Sequence, residues 1–194
     1  MVSKKPRETK ARILEAASRL FYAEGIRAVS VDLIAEKAGV TKKTLYYHFD
    51  SKDTLIAAHL TSRDQPNLRA FQKWFREAEG DLPSKVQHLF KGVAKSAKHP
   101  KWRGCGFLRT AGELVNMPGH PAIKAGAVHK KNVENWLADQ LREKGCLHAD
   151  QTARQVIVLM DGVFAVMMVH FDTDYIEAAG EAAATLVRTN LHAA

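Results

Sequence analysis

Cysteine is almost missing from this chain, which has only Cys105 and Cys146 in 194 residues. They have neither CxxC nor any other paired spacing, so no disulfide framework is encoded and a reducing cytoplasm is the natural location. No apolar run approaches the eighteen or so residues of a membrane span. The basic start from Met1 to Arg7 leads into an amphipathic helix rather than a signal-peptide core, so no membrane partner is expected. Glycine-rich phosphate loops are lacking. The nine histidines are scattered without His-x-x-x-His spacing, and Cys146 and His148 form a pair without further ligands. Neither a metal nor a cofactor is therefore expected. Cys105, between two glycines, has no base or oxyanion site beside it, so it reads as a small core residue. No catalytic residue is assigned, and the chain is not read as an enzyme. Period-2 strand patterns, internal repeats and low-complexity stretches are also wanting, which points to an all-α fold.

What is present is positive charge and helical periodicity. The net charge is +8, and residues 1–63 hold twelve Lys/Arg against seven Asp/Glu. Basic charge concentrated at one end supplies the non-specific, salt-dependent part of an affinity for nucleic acid. The hydrophobic fraction of 46% is that of an ordinary globular protein, and the length allows one or two domains.

Residues Ser30 to Phe49 carry the strongest signal. Ser30 can cap a helix whose first turn contains Asp32, where the helix dipole favours negative charge. Val31, Ile34, Ala35 and Ala38 give that helix one apolar stripe, and Gly39 ends it. Thr41 then caps a second helix, about Lys42 to His48, in which only Leu45 and Phe49 point to a core. Lys42, Lys43, Thr44, Tyr46, Tyr47 and His48 present cations, hydroxyls and flat rings to something outside the protein. That is the layout of a helix-turn-helix whose second helix enters the DNA major groove. In front of it, Ile13, Leu14, Ala17, Leu20 and Phe21 mark one helical face that ends at Gly25.

At this point the chain resembles the tetracycline-repressor (TetR) family of bacterial transcription regulators. The carrying residues are Thr9 to Ala17, Leu20, Phe21 and Gly25, then Ile34, Ala35 and Ala38 to Val40, and above all Thr44 to Phe49 with Ser51 and Lys52. The resemblance is ungapped over roughly residues 9–57, and Gly104 to Leu108 and Asp161 to Phe164 are similar to recurring segments of the family's C-terminal domains. It implies a three-helix DNA-binding domain (1–54) and a six-helix ligand-binding and dimerisation domain (55–194). The expected partners are a near-palindromic double-stranded DNA operator, a small-molecule effector and a second copy of the chain. Lys42, Lys43, Thr44 and Tyr46 are assigned to base edges and nearby backbone, with Thr41 at the start of the same helix. Tyr47, His48 and Lys52 are assigned to phosphates, which fix register. Ser30 and Val31 are expected to approach a phosphate through backbone N–H groups. Asp32 stands where several relatives carry a polar or basic residue, so no DNA contact is assigned to it.

Behind the reader the pattern predicts six helices: Ser51–Glu79, Pro83–Lys98, Cys105–Asn116, Ala122–Lys144, Asp150–Phe171 and Asp174–Leu191. The segment from Asp150 to Phe171 is apolar nearly all round, so it requires cover on several faces. It is either a central core helix or a helix that meets its symmetry mate, with Gly162, Val166, Ala178 and Ala182 at the interface. Trp74, Trp102, Cys105, Phe107, Leu108, Trp136, Met160, Phe164 and Met167 are candidates to line an effector pocket, with Arg109, Glu113, Asn116 and His170 as polar fixtures. Each could instead be plain core. The composite expectation is a homodimeric, ligand-responsive repressor. The competing one is a ligand-binding or thiol redox-sensing protein that keeps the fold without binding DNA, which the exposed Lys42–Thr44 and Tyr46–Tyr47 surface argues against.

Overall fold

The computed structural model describes residues 4–191. Among them are nine α-helices and no named strand: α1 (Lys4–Glu24), α2 (Val31–Lys37), α3 (Lys42–His48), α4 (Lys52–Glu77), α5 (Leu82–Ala97), α6 (Gly106–Glu113), α7 (Pro121–Glu143), α8 (Ala149–His170) and α9 (Asp174–Thr189). This is the all-α architecture expected, with most helix ends within two residues of their sequence-derived positions. The exception is α6, which stops at Glu113 rather than Asn116. Leu114 N–H bonds the Thr110 and Ala111 carbonyls together, a tightening that closes the last turn.

The chain divides into two compact units. The first comprises residues 1–63 and 105–127, the second residues 64–104 and 128 onward. The first unit closes over a core of Ile13, Ala17, Phe21, Ile26, Val29, Ile34, Leu45, Leu55 and Leu60, joined by Phe107, Leu114 and Ala122. Residues 105–127, placed with the C-terminal domain on sequence grounds, thus contribute to the core that holds the helix-turn-helix. Phe107 and Leu114 lie seven apart, on one side of α6 and its final turn, and both are buried there.

In the second unit α5 and α9 pack closely. A side chain at Gly180 would press on Phe90 Cβ at 3.0 Å, and one at Gly92 would collide with the Trp74 ring, so both glycines mark close packing. Asp81 caps α5 by accepting from Ser84 N–H at 3.0 Å. The core gathers Val86, Leu89, Phe90, Leu137, Leu141, Ala153, Val156, Met160, Ile176 and Val187.

Helix α8 does not have the all-round cover its composition led us to expect. Thr152, Ala153, Val156, Met160, Val163 and Met167 are buried, while Val158 is 66% and Val169 71% exposed on the other side. A Cβ at Gly162 would meet nothing within 4 Å. By length and composition alone this helix is long and apolar enough to cross a bilayer, a test that helices packed in a protein core also pass. That measure averages over Asp161, which sits mid-helix in an ion pair with Lys130.

Candidate nucleic-acid interface

The helix-turn-helix is built from local chemistry that the sequence spells out. Ser30 Oγ accepts from Leu33 N–H at 3.1 Å, and Thr41 Oγ1 accepts from Thr44 N–H at 3.1 Å, so each short helix has a side-chain cap. Between them the chain reverses in a Schellman arrangement. Val40 N–H donates to the Ala35 carbonyl and Gly39 N–H to the Glu36 carbonyl, both at 3.0 Å. The turn needs φ +63° at Gly39, a left-handed value that a side chain would oppose. Ile34, Ala35, Ala38, Leu45 and Phe49 then anchor both helices in the first unit's core.

Burying Leu45 and Phe49 turns the rest of α3 outward. Tyr46 is 41% and Tyr47 79% exposed, Lys42 and Lys43 are exposed, and His48 is half-buried with its ring edge-on to Tyr47 at 5.1 Å. Two large aromatic side chains side by side and open to solvent on a short helix are the informative observation, because exposure of this size has no role in the core. Ser30 and Thr41 are exposed, Val31 and Thr44 half-exposed, so all the α2–α3 candidates lie at the surface of this unit, while Leu45 and Phe49 are buried as expected. Lys42 Nζ donates to Asp32 Oδ2 at 3.1 Å, which ties the start of α3 to the first turn of α2. On the other side Lys10 Nζ sits 5.2 Å from the Phe49 ring centre.

Lys52 is in a different situation. It is half-buried at the start of α4, and burial pushes its ammonium below the ordinary lysine value against the pull of the Glu113 and Asp53 carboxylates. Its charge is therefore shared with protein carboxylates. Beside it, Asp53 Oδ1 stands 3.2 Å from Nε2 of the buried His120, too poorly aimed for a hydrogen bond, while His120 Nδ1 accepts from Ala122 N–H.

Two residues were missed as parts of this unit. Glu113 accepts from the N–H groups of Ile26 and Arg27, in the turn before α2, at 3.1 and 2.9 Å. Arg109 Nη1 donates to the Tyr22 carbonyl at 2.8 Å, near the C-terminus of α1. Both had been read as polar fixtures of a pocket. A sequence offers one weak hint, a charged pair four apart on a short helix, and no means of naming the partners.

The other candidates divide between the units. Cys105, Phe107, Leu108 and Glu113 belong to the first, where Phe107 is a core residue. Trp74, Trp102, Trp136, Met160, Phe164 and Met167 belong to the second. There Phe75 meets Trp136 edge-on at 5.6 Å, Trp102 and Phe164 rings lie 6.5 Å apart, and Lys130 Nζ is 5.7 Å from the Phe164 ring centre. In the same unit Asp64 accepts from His129 and Asn132, each at 2.8 Å. Burial alone would raise the Asp64 carboxyl, but these hydrogen bonds and one from Gln65 outweigh it and hold the group below its usual value. Of the interface candidates, Gly162, Ala178 and Ala182 are exposed and Val166 half-buried. Among the described residues no three of His, Cys, Asp or Glu cluster closely enough to hold a metal ion.

With this geometry in hand, the chain can be set beside known proteins. A family profile described as bacterial regulatory proteins of the tetR family matches residues 13–59. The uncharacterized regulator TtgW of Pseudomonas putida is 43% identical over 60 residues, which are 31% of this chain and 45% of that protein. The chain therefore matches less than half the length of that relative. The transcriptional regulator AcrR of Shigella flexneri is 39% identical over 167 residues, covering 83% of this chain and 77% of that protein. The crystal structure of a TetR-family regulator from Streptomyces coelicolor superposes with a TM-score of 0.78 at 30% identity, over 95% of this chain and 96% of that one. The likeness runs through both units, and the capped, outward-facing α3 lies inside the segment that the family profile matches; the chain belongs to the TetR family of bacterial transcriptional regulators.

Proposed function

We propose that the protein is a homodimeric repressor that holds a near-palindromic operator through α3 and leaves it when a small molecule binds the second unit. The observation that carries the DNA-binding half is the outward face of α3, Lys42, Lys43, Tyr46 and Tyr47, on a helix pinned from behind by Leu45 and Phe49. In this reading Lys42, Lys43, Thr44 and Tyr46 reach base edges and adjoining backbone in the major groove. Tyr47, His48 and Thr41 grip the sugar-phosphate backbone. The backbone N–H groups of Ser30 and Val31, at the start of α2, meet a phosphate, favoured by the helix dipole.

The dimer is supported by two exposed stripes. On α8, Val158, Gly162, Ala165 and Val169 recur at alternating spacings of four and three residues on the exposed side; on α9, Tyr175, Ala178, Ala182 and Thr185 do the same. Small residues along both stripes allow two copies of each helix to approach closely and form an isologous four-helix contact. Two recognition helices would then meet successive major grooves about 34 Å apart. The effector half rests on the half-buried Trp74, Trp102, Trp136 and Phe164, with Lys130, Asp161 and the Asp64–His129 pair as polar groups suited to orient a small amphipathic molecule. Such a regulator works in the cytoplasm.

The test is a gel shift with the full chain and a duplex from upstream of its own gene, against a scrambled duplex of the same length. A shift confined to the upstream duplex supports the reading. No preference between the two duplexes, at any salt concentration that permits binding, would leave a ligand-binding or thiol-sensing protein without DNA specificity.

A further inference from the structure

We propose that Glu113 is a positioning residue for DNA binding: from the last turn of α6 its carboxylate fixes the turn between α1 and α2, and with it the presentation of the helix-turn-helix. This rests on the reading of α3 as a DNA-binding helix.

The turn from Gly25 to Val29 is the only covalent link between α1 and the cap of α2. Its conformation sets where α2 starts and so where α3 lies. Two of its N–H groups, those of Ile26 and Arg27, donate to the two oxygens of one carboxylate. Ile26 is only 2% exposed as a residue, so without that acceptor a part-buried donor would lose its partner. Hydrogen bonds to an ionised carboxylate are among the strong ones, and a two-point grip fixes direction as well as distance.

The approach has been given room. Gly25 has φ +88°, and a Cβ built there would lie 2.8 Å from Glu113 Oε1. Glycine at this position therefore serves the backbone conformation and the carboxylate at once. Four residues earlier on α6, Arg109 donates to the Tyr22 carbonyl in the last turn of α1. The pair is matched in polarity, with a cation on a carbonyl at a helix C-terminus and an anion on the N–H groups that follow. Phe107 and Leu114 seat the same helix in the first unit's core, and the Lys52 ammonium faces the Glu113 charge. Every one of these contacts lies within the first unit, so α6 is part of the frame of the DNA reader although it is far away in sequence.

The experiment uses the full chain with Glu113→Gln and Glu113→Ala. A duplex selected by the wild-type protein from a random pool and a scrambled duplex of equal length serve as probes. Amide hydrogen exchange at Ile26 and Arg27 is followed by NMR. Gln retains one acceptor oxygen and Ala none, so protection of the two amides should fall in the order Glu, Gln, Ala. Affinity for the selected duplex should fall in the same order, at least tenfold for Ala. Affinity for the scrambled duplex should change less than threefold, because the phosphate-facing cations are untouched. General destabilisation would not produce that split or that order, and Glu113→Gln, nearly isosteric, carries the test should Glu113→Ala fail to fold. A folded variant with unprotected Ile26 and Arg27 amides but wild-type affinity for the selected duplex would overturn the proposal. So would amides that stay protected. Failure of the wild-type protein to prefer any duplex would instead overturn the DNA-binding reading beneath it.

Discussion

Replacing Asp32 by Asn should tighten DNA binding, because the carboxylate competes with phosphate for Lys42. Lys42 Nζ lies 3.1 Å from Asp32 Oδ2, with the two side chains 53% and 69% exposed. A pair so open to water is weak, worth about 0.2–1 kcal/mol. To reach DNA the Lys42 ammonium must give up that contact, so the pair's strength is subtracted from every half-site. A dimer breaks two pairs, which makes the gain about 0.4–2 kcal/mol, or roughly two- to thirtyfold in affinity. Removing the carboxylate also takes a negative charge away from the phosphates, so the gain should be greatest at low salt and shrink as screening increases. Fluorescence anisotropy with a labelled operator across a salt series measures both quantities. A cycle with Lys42→Ala separates the causes. If the ion pair is responsible, Asp32→Asn gains little once Lys42 is gone. If phosphate repulsion is responsible, the gain persists. Affinity unchanged or weakened by Asp32→Asn would refute the reasoning, since it would mean that Asp32 holds Lys42 where DNA needs it.

Three further outcomes are expected. Lys43→Ala should weaken operator binding by roughly 1–3 kcal/mol and relax preference at one operator position, as read by selection from a random pool; uniform weakening of all sequences would assign Lys43 to a phosphate instead. Gly162→Leu should convert the proposed dimer to monomer in sedimentation velocity while leaving helicity intact, because among the described residues a Cβ at Gly162 would meet nothing within 4 Å; a surviving dimer would move the interface elsewhere. His59 is buried beside Ser18, at 2.9 Å, and burial, with the nearby Arg63 second, pushes its imidazole from 6.5 down to about 4. The unfolded chain therefore binds a proton that the folded one refuses, so this residue's contribution to stability is intact above pH 6.5 and is lost as pH falls towards 4, by on the order of 3 kcal/mol. Urea unfolding at pH 7 and pH 4.5 should show a smaller pH dependence in His59→Gln than in wild type, and equal dependence would place the acid sensitivity in other groups.

The parts of this protein that were legible in the sequence are those fixed by neighbours a few residues away. Ser30, Gly39 and Thr41 each act on a backbone group within five residues, so the boundaries of α2 and α3 and the outward face of α3 could be derived before any coordinates. The apolar composition of α8 was equally plain, but composition is an average over the helix. It does not say that the Val156–Met160–Val163 side is buried while the Val158–Gly162–Ala165 side is exposed. Least legible was the allegiance of residues 105–127. Helix α6 is short, its apolar residues fit either unit equally well, and Glu113 finds its partners 86 and 87 positions away. Periodicity carries no information about a contact of that range. A carboxylate on a short helix therefore looks the same whether it waits for a ligand or holds a turn, and only the donors in front of it distinguish the two. For Glu113 those donors are backbone N–H groups of the segment that feeds the recognition helix, which moves the residue from the pocket to the DNA-binding frame.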